Sequence, residues 1–233
     1  MKDSIRGRPN IAAIPKVAVV DPKKIPHVLG EGELGLVLEL TVTDKNGKVT
    51  EHRVQKSESF VRQFLEILYV QMTYQPPGVM SVRDTSNVLR DVKSLAYTGT
   101  GSRAVNFDVL AAATNVLFGI LVGTGNTAPT INDYTIETLI AEGVGAGQLQ
   151  YSALTFGAPA SDATTSQLTI TRNFANGSGG AITVNEIGLV CQAAYSTAGT
   201  IGYFLLVRDV IGGGIAVPNG QTLTVNYRPQ ATV

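Results

Sequence analysis

Four strand-like segments follow one another in the second half of the sequence, and they constrain the fold more than any other feature. They span residues 167–174, 181–192, 201–210 and 221–228. Each is rich in β-branched or aromatic residues, and Gly, Asn and Pro separate one segment from the next. This pattern is typical of an antiparallel sheet. Nothing in these segments looks like a reaction centre.

The first two segments predict which side chains face the core. In the first, every second residue from Leu168 to Phe174 belongs to one largely apolar face. In the second, the apolar parity changes between Val184 and Ile187. An extra residue at Asn185-Glu186, a β-bulge, would return both halves of the strand to the same face. We therefore predict a bulge there.

The third and fourth segments differ in their surroundings. Residues 203–207 (Tyr-Phe-Leu-Leu-Val) are apolar on both faces, which predicts a central strand that is covered on both sides. The fourth segment alternates, and we predict that it ends at Pro229.

Composition excludes some classes of function. The 233 residues have a formal net charge of zero, and only 15% are charged, whereas about a quarter is usual. There is no basic excess for nucleic acid and no acidic tail. Such a composition fits a protein that hides much of its surface against neighbours, and it fits an ordinary β domain equally well. No apolar run approaches the roughly 20 residues of a membrane span, and residues 1–8 do not resemble a signal peptide. We expect a soluble protein that is made in a cytoplasm.

Residues 1–32 are predicted to form an extended arm. Four prolines disfavour a helix or a central strand in this segment. A disordered leader is the alternative, but disordered tails usually lack short apolar runs. An extended arm can add to the sheet edge of another subunit. The candidate assembly residues are Ile11, Ile14, Val17, Val19 and Val20.

The next segment predicts a hairpin. Residues 34–43 alternate strictly, Asp44-Lys45-Asn46-Gly47 follows, and residues 48–55 form the second strand. Asn-Gly between two such runs is a strong hairpin signal, because both residues tolerate positive φ.

A helix is predicted after the hairpin, with Ser57 or Ser59 as its N-cap and residues 76–78 (Pro-Pro-Gly) as its end. Its apolar residues recur at helical spacing and predict a face that packs on the core, although a partner-binding face is the alternative. Arg62 and Glu66 are spaced to form an ion pair. The apolar stripe consists of Phe60, Val61, Phe64, Leu65, Leu68 and Met72.

The middle of the chain is less regular. Residues 79–102 carry charges of both signs, which indicate a solvated surface or an ion-pair zone between subunits. A short helix is predicted over 107–114 and a buried strand over 115–122. Residues 133–140 and 148–156 are further strand candidates.

Motifs that could support chemistry are weak. Residues 123–128 (Gly-Thr-Gly-Asn-Thr-Ala) match the outline of a dinucleotide fingerprint, but no helical pattern follows them. Asp133 and Glu137 could bind calcium or exchange protons, although solvent-facing loop carboxylates are the more common case. Cys191, the single cysteine, is predicted to be a buried structural thiol, and the two histidines lack zinc-ligand spacing. We therefore predict no catalytic, cofactor-binding or metal-binding residue, and no enzyme.

Several longer motifs resemble those of uncharacterised virion structural proteins of tailed bacteriophages. They include residues 123–137 (GTGNTAPTINDYTIE), 182–189 (ITVNEIGL), 206–210 (LVRDV) and 217–227 (VPNGQTLTVNY). The resemblance spans roughly residues 34–227. It implies a β-rich subunit repeated in a symmetric particle, and it transfers no catalytic residue. Homo-oligomers and other virion structural proteins are then the expected partners, with no nucleic acid and no membrane, and the virion is the expected location.

These observations define the expected architecture and function. We expect a mainly β fold, an antiparallel β-sandwich or jelly-roll-like body with one amphipathic helix and an extended N-terminal arm. The arm would cover residues 1–32 and a single β-rich domain residues 33–233, with the hairpin and helix at 34–75 and the main β body at 104–233. We expect a capsid-associated or decorating subunit, with a tail, neck or baseplate ring subunit as the alternative. A host-adhesion or carbohydrate-binding module is the alternative of another class, but sugar sites usually use aromatic platforms and the chain has no Trp.

Overall fold

A computed structural model describes residues 28–57, 59–73, 80–92, 107–195 and 200–233. This part of the chain is mainly β and contains antiparallel sheets and a single helix, as the sequence predicts. The elements are β1 (Leu34–Thr43), β2 (Val49–Ser57), α1 (Arg62–Thr73), β3 (Ser81–Arg83), β4 (Leu89–Asp91), β5 (Gly119–Gly123), β6 (Gln150–Tyr151), β7 (Thr155–Phe156), β8 (Ala160–Ser161), β9 (Thr165–Gln167), β10 (Ile170–Ala175), β11 (Ile182–Ala194), β12 (Ile201–Val217) and β13 (Thr222–Thr232).

Two sheets form the body. The larger has the order β2-β1-β13-β10-β6, with β7 beside β10, β9 beside β13 and β8 beside β9. The smaller has the order β12-β11-β5, and β3 and β4 form a separate hairpin. Every pair of these strands is antiparallel. The inward side chains of both sheets belong to one hydrophobic cluster, which gives the body a sandwich-like cross-section.

The predicted hairpin is confirmed. β1 and β2 pair from Leu36 opposite Ser57 to Thr43 opposite Val49. The Asp44 carboxylate accepts hydrogen bonds from the backbone N–H groups of Asn46 (2.8 Å) and Lys48 (3.0 Å), which closes the turn. Gly47 has φ +78°, a conformation that glycine adopts at little cost.

The predicted bulge in β11 is also confirmed. The register between β11 and β12 shifts between Val184 and Glu186. As a result Ile182 and Val184 on one side of the bulge, and Ile187 and Leu189 on the other, are all buried. The bulge therefore explains why the apolar residues change parity along this strand.

The predicted central position of residues 203–207 is wrong. β12 pairs with β11 on one side only, so it lies at the edge of its sheet. The chain that leads into α1 covers the other side, where Val61 N–H donates to Leu206 O (3.1 Å) and Arg208 N–H donates to Ser59 O (3.1 Å). Leu206 is buried even so. An edge strand covered in this way has the same two-sided apolar sequence as a central strand.

The predicted buried face of the helix is only partly correct. Val61 is buried and Phe60 and Phe64 pack against the core. Within α1 itself the buried side chains are Gln63, Ile67 and Val70. Leu65 and Met72, which the stripe placed in the core, are 63% and 77% exposed. The helix is rotated from the predicted orientation, because Gln63 is buried and donates to Asp133 O (3.1 Å).

Other local predictions also differ from the structure. Residues 107–114 are not helical, since Phe107 and Thr114 have φ of 60° and 64° and Asp108 instead forms a bridge with Gln192. Residues 133–140 form no strand beyond a bridge of Leu139 to Gly123, and β13 continues through Pro229 to Thr232. Within 79–102, where 80–92 are described, Asp84 is buried rather than solvated and pairs with Arg90 at 2.8 Å.

Candidate functional site

Arg208 on β12 brings together the two carboxylates that the sequence suggested as a pair. Its Nη1 donates to Asp133 Oδ2 (2.9 Å) and its Nη2 to Glu137 Oε2 (3.2 Å). Its Nε donates to Oε2 of the fully buried Glu186 on β11 (2.9 Å). Thr127 Oγ1 lies 3.4 Å from Nη2. We call Arg208, Glu186, Asp133, Glu137 and Thr127 the Arg208 cluster.

The chain around residues 123–128 donates a backbone hydrogen bond to the buried carboxylate of Glu186 and does not precede a helix. Glu186 Oε1 accepts the N–H groups of Gly125 (3.1 Å) and Thr138 (2.7 Å), and Oε2 accepts the N–H of Glu137 (2.9 Å). A Cβ on Gly123 or Gly125 would lie 2.5 Å from Glu186 Oε1. Both glycines are therefore required by the close approach of a carboxylate, and the dinucleotide interpretation has no structural basis.

Hydrogen bonds hold the outer carboxylates ionised. Burial alone would raise the pKa of Asp133. The hydrogen bonds from the N–H and hydroxyl of Thr130 and the charge of Arg208 outweigh this effect, so the pKa of Asp133 is lowered. The N–H and hydroxyl of Thr127, together with Arg208, lower the pKa of Glu137. Burial disfavours the charge of Arg208, but Glu186 and Asp133 raise its pKa above the ordinary value.

The Arg208 cluster is suited to fastening the chain rather than to proton transfer. Each oxygen of Glu186 already accepts hydrogen bonds, and the polar atoms of Arg208 are spread over three carboxylates. A general base needs a free lone pair directed at a substrate. The cluster instead ties the loop between β5 and β6 to β11 and β12. Because Arg208 N–H donates to Ser59 O, the same residue also holds the start of α1.

A second buried cation, Arg172 on β10, pairs with no carboxylate among the described residues. Its guanidinium donates to five backbone carbonyl oxygens between 2.7 and 3.4 Å and lies over the rings of Tyr151 and Phe174. Burial lowers the pKa of Arg172 to about 10. The acceptors are the carbonyls of Ser152, Phe118, Ile120, Ala112 and Asn115. Arg172 thus joins β10 to β5 and to the chain before it.

A third polar group lies between the sheets. Asp209 Oδ2 accepts hydrogen bonds from Tyr227 OH (2.8 Å) and Ser57 Oγ (2.8 Å). Burial raises the pKa of Asp209, although Tyr227 and Ser57 partly oppose this effect. Burial and the adjacent Asp209 raise the pKa of Tyr227. These contacts connect β2, β12 and β13 across the core.

Two further residues that the sequence singled out, Cys191 and His52, lie apart from the Arg208 cluster. Cys191 is buried as predicted, and burial raises the pKa of its thiol to about 12, which makes it a weak nucleophile. His52 contacts Glu39 at 2.9 Å, on the outward face of the larger sheet. The five arm residues (Ile11, Ile14, Val17, Val19 and Val20) and His27 lie outside the described residues.

The described residues hold neither a metal-binding cluster nor a membrane-spanning helix. These residues contain no group of three or more His, Cys, Asp or Glu side chains that could hold a metal ion. No helix within the described ranges is both long enough and apolar enough to cross a membrane.

One side of α1 exposes several large apolar side chains. Leu65, Tyr69 and Met72 recur at spacings of four and three and are exposed together on one side. Ile131 is also exposed, and its carbonyl oxygen accepts the N–H of Arg62 (3.1 Å), which places it beside the start of α1.

Sequence reasoning missed both buried arginines, although a signal was present. Arg172 occupies an inward position in an alternating strand, and Arg208 follows the two-sided apolar run of β12. A charged residue at an inward position requires a buried partner.

Comparisons of the chain with protein-family models, with curated proteins and with solved structures found no match.

Proposed function

We propose that this chain is a non-enzymatic structural protein of a tailed-bacteriophage particle, where it assembles symmetrically as a capsid-associated or decorating subunit. A tail, neck or baseplate ring is the second placement. The proposal rests on the sequence resemblance together with one structural observation. Charged side chains that could do chemistry are engaged in internal contacts, whereas apolar side chains of α1 face outward.

The arrangement of polar groups supports an assembly role. The Arg208 cluster, Arg172 and Asp209 each join segments that are far apart in the sequence. Such contacts fix the shape of a subunit, and they engage these polar groups internally, whereas an enzyme site needs polar groups directed at a substrate. Exposed apolar side chains next to each other are typical of surfaces that bind other proteins.

The test is to locate the protein and to measure its association. Mass spectrometry of density-purified phage particles should detect the chain at a fixed stoichiometry relative to the other structural proteins. Sedimentation velocity of the full chain should show a closed oligomer or a concentration-dependent association. A chain that is absent from particles and monomeric at all concentrations would overturn the proposal.

A further inference from the structure

One side of α1 combines exposed apolar groups with an incompletely paired carboxylate. Leu65, Tyr69 and Met72 are exposed, and the partly exposed Glu66 borders them, one turn before Tyr69. Arg62 completes this side, because it precedes Glu66 by four residues. We call Arg62, Leu65, Glu66, Tyr69 and Met72 the α1 face.

The carboxylate of Glu66 lacks a strong partner. Its Oε1 lies 3.6 Å from Arg62 Nε, longer than a charge-assisted hydrogen bond. Among the described residues, no donor lies within hydrogen-bond distance of its buried Oε2, and no acceptor lies within that distance of Arg62 Nε. Burial raises the pKa of Glu66, with Arg62 opposing the effect only in part. A cation from another chain would pair with Oε1, because Oε2 is enclosed within the subunit.

Residues 1–27 have the composition that this face requires. They contain six of the 18 basic residues but two of the 18 acidic ones, so their net charge is +4 and that of the rest of the chain is −4. Residues 11–20 are apolar except for Lys16, which lies between Ile14 and Val17. The apolar side chains of this segment match the exposed apolar side chains of the α1 face, and Lys16 is opposite in charge to Glu66 at the edge of that face.

The length and exit point of this segment allow it to reach a neighbour. Twenty-seven residues can span up to about 90 Å when extended. The described chain begins at Val28 and continues to Glu33, whose carboxylate pairs with Lys56 at 3.1 Å. Lys56 lies at the end of β2 and precedes α1 by six residues, so Glu33 lies near the chain that leads into α1.

We propose that residues 11–20 of one copy bind the α1 face of a neighbouring copy, with Lys16 beside Glu66 and with Ile14 and Val17 against Leu65, Tyr69 and Met72. This inference rests on the proposed function, since it identifies the surface through which identical subunits hold one another. The occupant is a second copy of the chain, and each subunit both gives and receives one segment.

Cross-linking between copies that each carry one introduced surface cysteine tests the contact. Cys191 is buried and its thiol has a raised pKa, so an introduced surface cysteine is the reactive thiol of each variant. Full-length Val17→Cys and Met72→Cys proteins carrying different tags are mixed and oxidised. Disulfide-linked heterodimers should form rapidly. The matched control is Val49→Cys, because Val49 is also exposed but lies on β2.

Charge reversal tests the role of Lys16. The Lys16→Glu variant should lower the heterodimer yield about two- to fivefold, the range that a partly exposed ion pair supports. Adding Glu66→Lys to the receiving copy should restore the yield. A simple loss of solubility or folding would not be repaired by the second substitution.

Three results would overturn the inference. The first is a heterodimer yield with Met72→Cys that is no greater than the yield with Val49→Cys. The second is that Met72→Cys forms mainly homodimers. The third is an intrachain disulfide in a Val17→Cys/Met72→Cys chain, while the mixture of single variants forms no heterodimers. If any of these appears in a protein that still forms oligomers and is found in particles, the docking surface alone is wrong. A monomeric protein that is absent from particles refutes the proposed function itself.

Discussion

Arg172 is a buried cation whose hydrogen-bond partners are main-chain carbonyl oxygens. Arg172→Met should lower the free energy of unfolding by at least about 3 kcal/mol, because several buried acceptors lose their donor at once. Urea denaturation measures this loss. Arg53→Met is the matched control, since Arg53 forms a partly exposed pair with Glu51 and should cost under about 1 kcal/mol. Equal losses for both variants would contradict the structural role of Arg172.

The outer carboxylates of the Arg208 cluster predict an acid-sensitive contribution to stability. The pKa of Asp133 and that of Glu137 are lower in the folded chain than the ordinary values. Their stabilisation is therefore present above about pH 4, the ordinary range of carboxyl groups, and is lost as the pH falls through the lower folded pKa values. Denaturation of the wild type and of Asp133→Asn at pH 7 and at pH 3 should give a difference that shrinks at pH 3. A difference that does not change with pH would refute this assignment.

Helix α1 has one face in the core and another in solvent, and the two should respond differently to truncation. Ile67 is fully buried, so Ile67→Ala should cost about 2–5 kcal/mol. Leu65 is mostly exposed, so Leu65→Ala should change stability by less than about 0.5 kcal/mol. Denaturant unfolding of the two variants compares the faces directly. The opposite order would mean that the helix has the rotation predicted from its sequence stripe.

Strand β12 provides a second test at the scale of an element. Leu206 is buried although its strand lies at an edge, and its carbonyl oxygen accepts the N–H of Val61 in the chain before α1. Leu206→Ala should cost about 2–5 kcal/mol in urea denaturation. A loss below about 1 kcal/mol would show that the covering segment detaches easily.

The elements that the sequence predicts well are those specified by local pattern. Strict alternation and Asn46-Gly47 identify the hairpin, and a change of parity identifies the bulge in β11. The rotation of α1 could not be read in this way, because it depends on the polar contact of Gln63 with Asp133, which lies far away in the sequence. The Arg208 cluster was missed for the same reason. Its members come from three separate segments, and only the fold brings them together.

At the scale of the whole molecule, the described body begins before the first strand. Leu29 is buried, and Thr232 Oγ1 donates to Gly30 O while Thr232 N–H donates to Glu33 O (2.9 Å). Deleting residues 1–27 should therefore leave the urea midpoint close to that of the full chain and impair assembly into particles. Deleting residues 1–32 should also lower the midpoint, because it removes Leu29 from its contacts. Normal incorporation of the shorter deletion into particles would eliminate the arm as an assembly device.

The position of β13 has a consequence for synthesis on the ribosome. This strand, Thr222–Thr232, lies between β1 and β10 in the middle of the larger sheet, yet it is made after both. Until it has emerged, the β1–β2 hairpin cannot join the rest of its sheet, and the inward leucines of β1 have no β13 side chains to pack against. Pairing between such distant segments is slow, and exposed apolar strands aggregate. We therefore expect ribosome-bound chains that stop before residue 222 to depend on chaperones, and the sheet to close only once synthesis has passed residue 232.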